Sequence, residues 1–370
     1  MTTHHLSPAP ADLHLHRVRR DHEQALVDQI LAATATAACR GWTPDDLRHV
    51  LGNGVAHLLF LAHHRVTAAA ATTESVRRAW RRQCHAVDPL PWAVTELENW
   101  LTTLRELPLL ADEEILTDLH QLHEREEDPD GPDGLDGQQR RAAHRIAGLL
   151  RKAESTTFDA EAETLVAKAQ QLRQRHRIDT ALTPPGSPAT SVELLALRVR
   201  MSAPWIRHQF LLLAQIAGAN SCTAVLLSAH GIATVIGEAG DVRHTVDLFA
   251  SLNRQCAHFM RISAGAHEAS RTGQTTAYRR AFLLAYASRI GALLREAGAD
   301  AAEDREDSDR ALPVLAERSA AAEERTRQLF PALRGISFSS RHARGHRDGR
   351  VAAGRSHLRG DRAGLDRRSA

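Results

Sequence analysis

The chain has little aromatic content, few cysteines and no apolar run of membrane-spanning length, and each shortage removes a class of protein. A transmembrane helix needs about 18 consecutive apolar residues, and the longest candidate, VAHLLFLAHHRV, is broken by its histidines. The opening residues, MTTHHLSPAPADLHLHRVRRDHEQ, lack an apolar core followed by a small-residue cleavage site, so no secretory leader or membrane contact is expected and the expected location is cytoplasmic. Cys39, Cys84, Cys222 and Cys256 never fall into a C-x-x-C pair. That excludes a zinc ribbon or a dithiol redox motif and leaves buried free thiols as the expectation.

Signatures of chemistry are equally short. No G-x-S-x-G, G-K-[ST] or H-E-x-x-H occurs, and HEQAL, HEREE and HEAS each lack the second histidine that would complete a zinc pair. HARGH does place His342 and His346 four apart, but its glycine argues against the helix needed to align them. VIGEAGDVRHT reads as strand, turn and helix, yet lacks phosphate-loop spacing, and Asp241 would repel an anion there and is expected to cap the helix instead. No catalytic residue, metal or cofactor is therefore assigned.

What remains is alanine-rich and 43% hydrophobic, which favours helix. Leu26, Ile30, Ala33 and Ala37 form one helical stripe, and Leu97, Trp100, Leu101 and Leu104 another. GWTPDDLRHVLG carries a helix start, with Thr43 at the cap, Pro44 at the first position and Asp45 and Asp46 at the positive end of the helix dipole. Residues 1–123 thus read as a helical N-terminal region, closed by a Gly/Pro-rich linker at 124–138. Two amphipathic stripes hinged at ESTTFD make a helical hairpin over 139–181, followed by a linker at 182–190.

From 191 to 333 the pattern changes. SVELLALRVR is strand-like, PWIRHQFLLLAQIAGAN is a helix with Ile206, Phe210, Leu213 and Ala217 in its stripe, and CTAVLLSAHGIATVIG is a hairpin of strands turning at Gly231. A helix from about Asp241 should bury Val242, Leu248, Phe249, Leu252 and Cys256, and two more helices follow. The expected class is mostly α with a small α+β domain holding a short antiparallel sheet. Residues 334–370 interleave Gly with ten arginines against three aspartates, a net +7. With +2 for the whole chain, everything before carries −5. This basic tail is expected to be disordered and able to contact nucleic acid or another polyanion.

The hairpin also carries a resemblance. Leu149, Leu150, Ala153, Glu154, Ser155, Glu161, Ala162, Lys168, Ala169, Gln170, Leu172, His176 and Ile178 follow the pattern of the family called domain of unknown function 2786, over residues 142–180. Arg173 stands where many members have methionine. The region after it is similar to the companion domain that commonly follows in that family, and the resemblance implies no activity.

Two sets of candidate binding residues result. Glu161, Lys168 and Arg175 align on the polar face of the second hairpin helix, where a solvated face is the plainer explanation. Arg341, Arg344, Arg347 and Arg350 lie in the tail, in the stretch from Ser339 on, where aromatic residues for base stacking are missing, which argues against sequence-specific recognition of a single strand. The leading expectation is a non-enzymatic interaction module. An unrecognised enzyme with its pocket in 191–333, near Trp205 and Asp241, and a structural scaffold are the alternatives.

Overall fold

A computed structural model describes residues 10–88, 91–122, 193–303 and 308–356. The expected hairpin, with Glu161, Lys168 and Arg175, lies outside them, as do residues 357–370. The chain divides into two compact units, Met1–Leu116 and Thr117–Ala370. It is mostly helical with one small sheet, and no helix among the described residues is long and apolar enough to cross a membrane.

The first unit is built from α1 (Pro10–Cys39), α2 (Pro44–Leu51), α3 (Ala56–Ala68), α4 (Glu74–Gln83) and α5 (Val94–Glu106). The stripes largely behave as their spacing dictates: Leu26, Ile30, Ala37, Leu97, Trp100, Leu101 and Leu104 are buried, while Ala33 is half-buried. Four tryptophans tie the loops to this core. Each indole N–H donates to a main-chain carbonyl: Trp42 to Pro108 at 2.8 Å, Trp80 to Trp42 at 3.0 Å, Trp92 to Gly54 at 3.2 Å and Trp100 to Leu51 at 3.0 Å. A buried carbonyl at a helix end needs such a donor, because the chain itself supplies none there. At the start of α2, the Thr43 hydroxyl accepts from the Asp46 N–H and donates to the Asp46 carboxylate at 2.7 Å, while Asp46 accepts the Thr43 N–H. This reciprocal cap is fully buried.

Four strands stand in the order β1-β2-β4-β3: β1 (Leu116–Thr117), which straddles the division, and β2 (Leu194–Arg200), β3 (Thr223–Leu227) and β4 (Ile232–Glu238) of the second unit. β4 pairs antiparallel with both neighbours, Leu197 facing Val235 on one side and Val225 facing Thr234 on the other. The hairpin closes through Gly231 at φ 64°, the left-handed value expected of it.

Leu195, Leu197, Ala233 and Val235 share a core with α6 (Ile206–Ala219), α7 (Ala239–Ile262) and α9 (Thr275–Glu303), which α8 (Ala264–Arg271) precedes. α10 (Ser308–Leu329) packs on β3 and β4, and the Thr223 hydroxyl meets that of Thr326. The predicted core positions of α7 are buried, Val242, Leu248, Phe249, Leu252 and Cys256 alike. In α6 the core stripe is rotated: Leu213 and Ala217 are joined by Leu212 and Ile216, while Ile206 and Phe210 are half-buried.

Because four of the five tryptophans lie in the first unit, their fluorescence reports mainly on its unfolding. Thr43→Ala should lower stability by about 1 kcal/mol in urea titrations followed at that signal, the usual cost of a lost N-cap. A change of only a few tenths would mean the cap does not hold α2 in place.

Candidate functional site

The segment expected to be a disordered tail is helical over Ala343–Gly354, here α11. Its glycines, which suggested broken structure, are why it is ordered. Gly345 and Gly349 are buried against α9, and an added Cβ would lie 2.6 Å from the Tyr278 carbonyl oxygen at the first and 2.3 Å from that of Phe282 at the second. No residue with a side chain fits between two backbones that close. Ala352, Ala353 and Ser356 continue the same buried face.

The register of the contact is fixed by two tyrosines. Tyr278, Phe282 and Tyr286 form a row at four-residue steps along α9, with ring centroids 6.1 and 6.3 Å apart. The Tyr278 hydroxyl donates to Asp348 at 2.8 Å, and the Tyr286 hydroxyl meets Ser356 at 2.5 Å. Each bond spans 70 residues, so the two helices run parallel in one register. Burial, reinforced by Asp348, pushes the Tyr278 phenol up to about 12, and burial likewise raises Tyr286, so both remain donors at neutral pH.

The opposite face of α11 holds three of the predicted arginines. Arg344, Arg347 and Arg350 are all exposed, as are the predicted Arg341 just before the helix and Arg355, which is not among them, just after it. At about 100° per residue the three helical arginines occupy an arc of about 120°. Arg344 pairs with Glu268 at 3.1 Å across half-exposed side chains, while Arg347, Arg350 and Arg355 pair with no carboxylate among the described residues. His342 and His346 do fall on one helix, but both rings are engaged. His342 Nδ1 accepts the Gly345 N–H at 3.1 Å as the helix cap, and His346 Nε2 lies 3.1 Å from the Ser340 carbonyl.

Three residues outside the tail join this region. The Arg207 guanidinium lies 5.9 Å from the ring centre of Phe338, the one aromatic of the tail, and His208 meets the same ring edge-on at 5.6 Å. Burial, then the charges of Arg280 and Arg207, hold the His208 imidazole below its ordinary value. No local pattern marks Arg207 or Arg280. The four-residue spacing of Gly345 and Gly349, continued by Ala352 and Ala353, was visible and could have signalled a close helix contact.

The region near Trp205 and Asp241 is organised differently. α7 begins at Ala239, two residues earlier than expected, and Glu238 rather than Asp241 caps it, accepting the Asp241 N–H at 3.4 Å. Glutamate reaches back from the strand end, leaving Asp241 buried in the first turn. Arg318 of α10 stands 4.0 Å from both carboxylates. Burial, then Asp241, raises the Glu238 carboxyl, against the opposing pull of Arg318 and two backbone N–H groups. Cys84, Cys222 and Cys256 are buried free thiols and Cys39 is partly buried, with burial pushing Cys84 up to about 11.

Residues 141–180 match the family described as Protein of unknown function (DUF2786). No curated protein and no solved structure matches the chain.

Two outcomes follow from this geometry. Gly349→Ala should destabilise the second unit by about 1–3 kcal/mol through overpacking and expose Arg341–Arg355 to trypsin. Gly354→Ala, where an added Cβ meets nothing within 4 Å, should leave both unchanged. For Glu238, a folded-state pKa above the ordinary 4.5 means the folded state holds the proton more tightly, so its stabilising contribution is lost as pH rises above that value. Glu238→Gln should therefore be more stable than the parent at pH 7.5, with the difference vanishing below about pH 4.5 in urea titrations. An equal effect at both pH values would exclude the proton as its cause.

Proposed function

We propose that the chain is a cytoplasmic, non-enzymatic interaction protein that contacts nucleic acid, or another polyanion, through the outward arginine face of α11. The carrying observation is the two-sidedness of that helix. Its small residues are locked against α9, while Arg347 and Arg350 on its outer face, and Arg355 just past its end, are exposed and Arg344 reaches Glu268 of α8. Charges on a rigid, pre-ordered support lose less entropy on binding than charges on a mobile tail. Guanidinium groups suit phosphate oxygens, which they engage through paired N–H donors. The α+β unit that holds α11 is, in this reading, the companion domain of the matched family segment.

A second reading, an enzyme with its pocket in 191–333, is favoured by one observation, the raised carboxyl of Glu238 beside Asp241 and Arg318. Glu238 is already engaged as the cap of α7, and the three charges meet at a helix start, which suits a structural role better than a proton-transfer one.

Binding of a labelled oligonucleotide across a salt series tests the proposal. Arg347→Ala/Arg350→Ala should flatten the dependence of log K on log salt by about 1 to 2, since each lost phosphate contact removes about 0.9. Binding unchanged in affinity and slope would sink the α11 interface.

A further inference from the structure

We infer that α11 is one part of a composite surface for the phosphate backbone of duplex nucleic acid, completed by Arg207 of α6 and Arg280 of α9 beside Arg341. This rests on α11 being a polyanion-binding face and extends it to residues far away in sequence.

The connecting element is the short stretch from Phe338 to His342. Phe338 sits against Arg207 and His208 at the first turn of α6. Three residues on is the exposed Arg341, and His342 then places its ring edge-on against Tyr278 of α9 at 5.5 Å. Arg280 of α9 joins at His208, the ring that meets Phe338 and feels the charges of both Arg280 and Arg207. Arg207 and Arg280 thus share His208 as a neighbour, and Arg341 lies three residues along the chain from the Phe338 ring that Arg207 covers. Arg207, Arg280 and Arg341 are exposed, and none pairs with a carboxylate among the described residues. Like charges gathered without counter-charges repel one another, so the arrangement costs stability and suits an anionic partner.

The chemistry of the surface narrows that partner. Single-strand binders offer aromatic faces on which bases stack. Here Phe338 is half-buried, with Arg207 over its face and His208 at its edge, so no stacking platform remains on it. The other aromatic at this turn, Trp205, is half-buried with the His208 ring edge-on to it at 5.6 Å. Beyond these engaged rings the surface offers guanidinium chemistry on a rigid support, which positions a protein on phosphates without reading bases. The row from Arg344 to Arg355 spans about 16 Å at ~1.5 Å per residue. Duplex DNA presents about one charge per 1.7 Å of axis, so several phosphates face a row of that length.

The test uses the full chain, a fluorescent 20-base-pair duplex and its single strand, each titrated over a sodium chloride series. Arg207→Ala/Arg280→Ala should weaken duplex binding about tenfold or more and flatten the salt slope by about 2. Because Arg207 also touches Phe338, Arg280→Glu alone serves as the variant that leaves that contact intact and should weaken binding as well. In NMR titrations, bound duplex should raise the His208 pKa as phosphates offset the two arginines, an effect that mere structural support by Arg207 would not produce. Wild-type affinity and slope in both variants, with Arg347→Ala/Arg350→Ala still weakened, would overturn the composite surface and leave α11 as the interface. Tighter binding of the single strand would overturn the choice of duplex. If the parent chain binds neither probe at low salt, the α11 interface falls together with it.

Discussion

The close approach of α11 to α9 is the contact on which the arrangement of the second unit's basic surface depends. Glycine in a helix interior costs about 1 kcal/mol relative to alanine, so two buried glycines four residues apart weaken α11 as an isolated helix. Their return comes only when α9 is present, as backbone-to-backbone packing that no larger side chain permits. The hydroxyls of Tyr278 and Tyr286 then set the register. A slide by one residue would break both bonds and press a side chain into the Phe282 carbonyl. Rotation of α11 is fixed by the same contact, and with it the direction in which its arginines point.

The first unit meets a similar problem by other means. Low aromatic content does not mean that aromatics matter little. Four tryptophans span from the core to carbonyls at helix ends and loops, each filling volume with one face and satisfying an acceptor with its N–H. Gly41, at φ 90° with the Leu110 carbonyl 2.9 Å from where its Cβ would be, lets the chain turn tightly beside Trp42. The aromatic side chains are engaged in architecture in this unit, as Tyr278, Phe282 and Tyr286 are in the other.

How much was legible in the sequence follows from the range of each interaction. The α2 start needed only Thr43, Pro44 and Asp46, which lie within four residues, and the core stripes of α1, α5 and α7 repeat at helical spacing. The turn at Gly231 was similarly local. The cap of α7 was misplaced because glutamate and aspartate both lie within reach of the first N–H groups, and the end of β4 decides which one does. α11 reads from the sequence as a disordered segment because glycine is ambiguous without its partner: the same residue breaks an exposed helix and permits a buried one to pack. Arg207 and Arg280 have no local signal, since Phe338 reaches Arg207, and Arg280 reaches His208, only across long stretches of intervening chain.

The way α11 is held bears on how its charge behaves. With a body of net −5 and a tail of net +7, electrostatic docking of the tail onto the body would be the simplest expectation. The attachment of α11 is different: among the described residues, one half-exposed ion pair, Arg344 with Glu268, against a continuous contact of glycine, alanine and aromatic side chains. Exposed pairs of that kind contribute about 0–1 kcal/mol and are screened by salt, whereas close apolar packing is not. A helix held by ion pairs would neutralise itself and loosen as salt rises. Held by its small residues, α11 keeps its orientation over the same salt range and leaves Arg347, Arg350 and Arg355 without internal counter-charges among the described residues. Any salt dependence of binding then reports on the arginines' external partner and not on the docking of the helix that carries them.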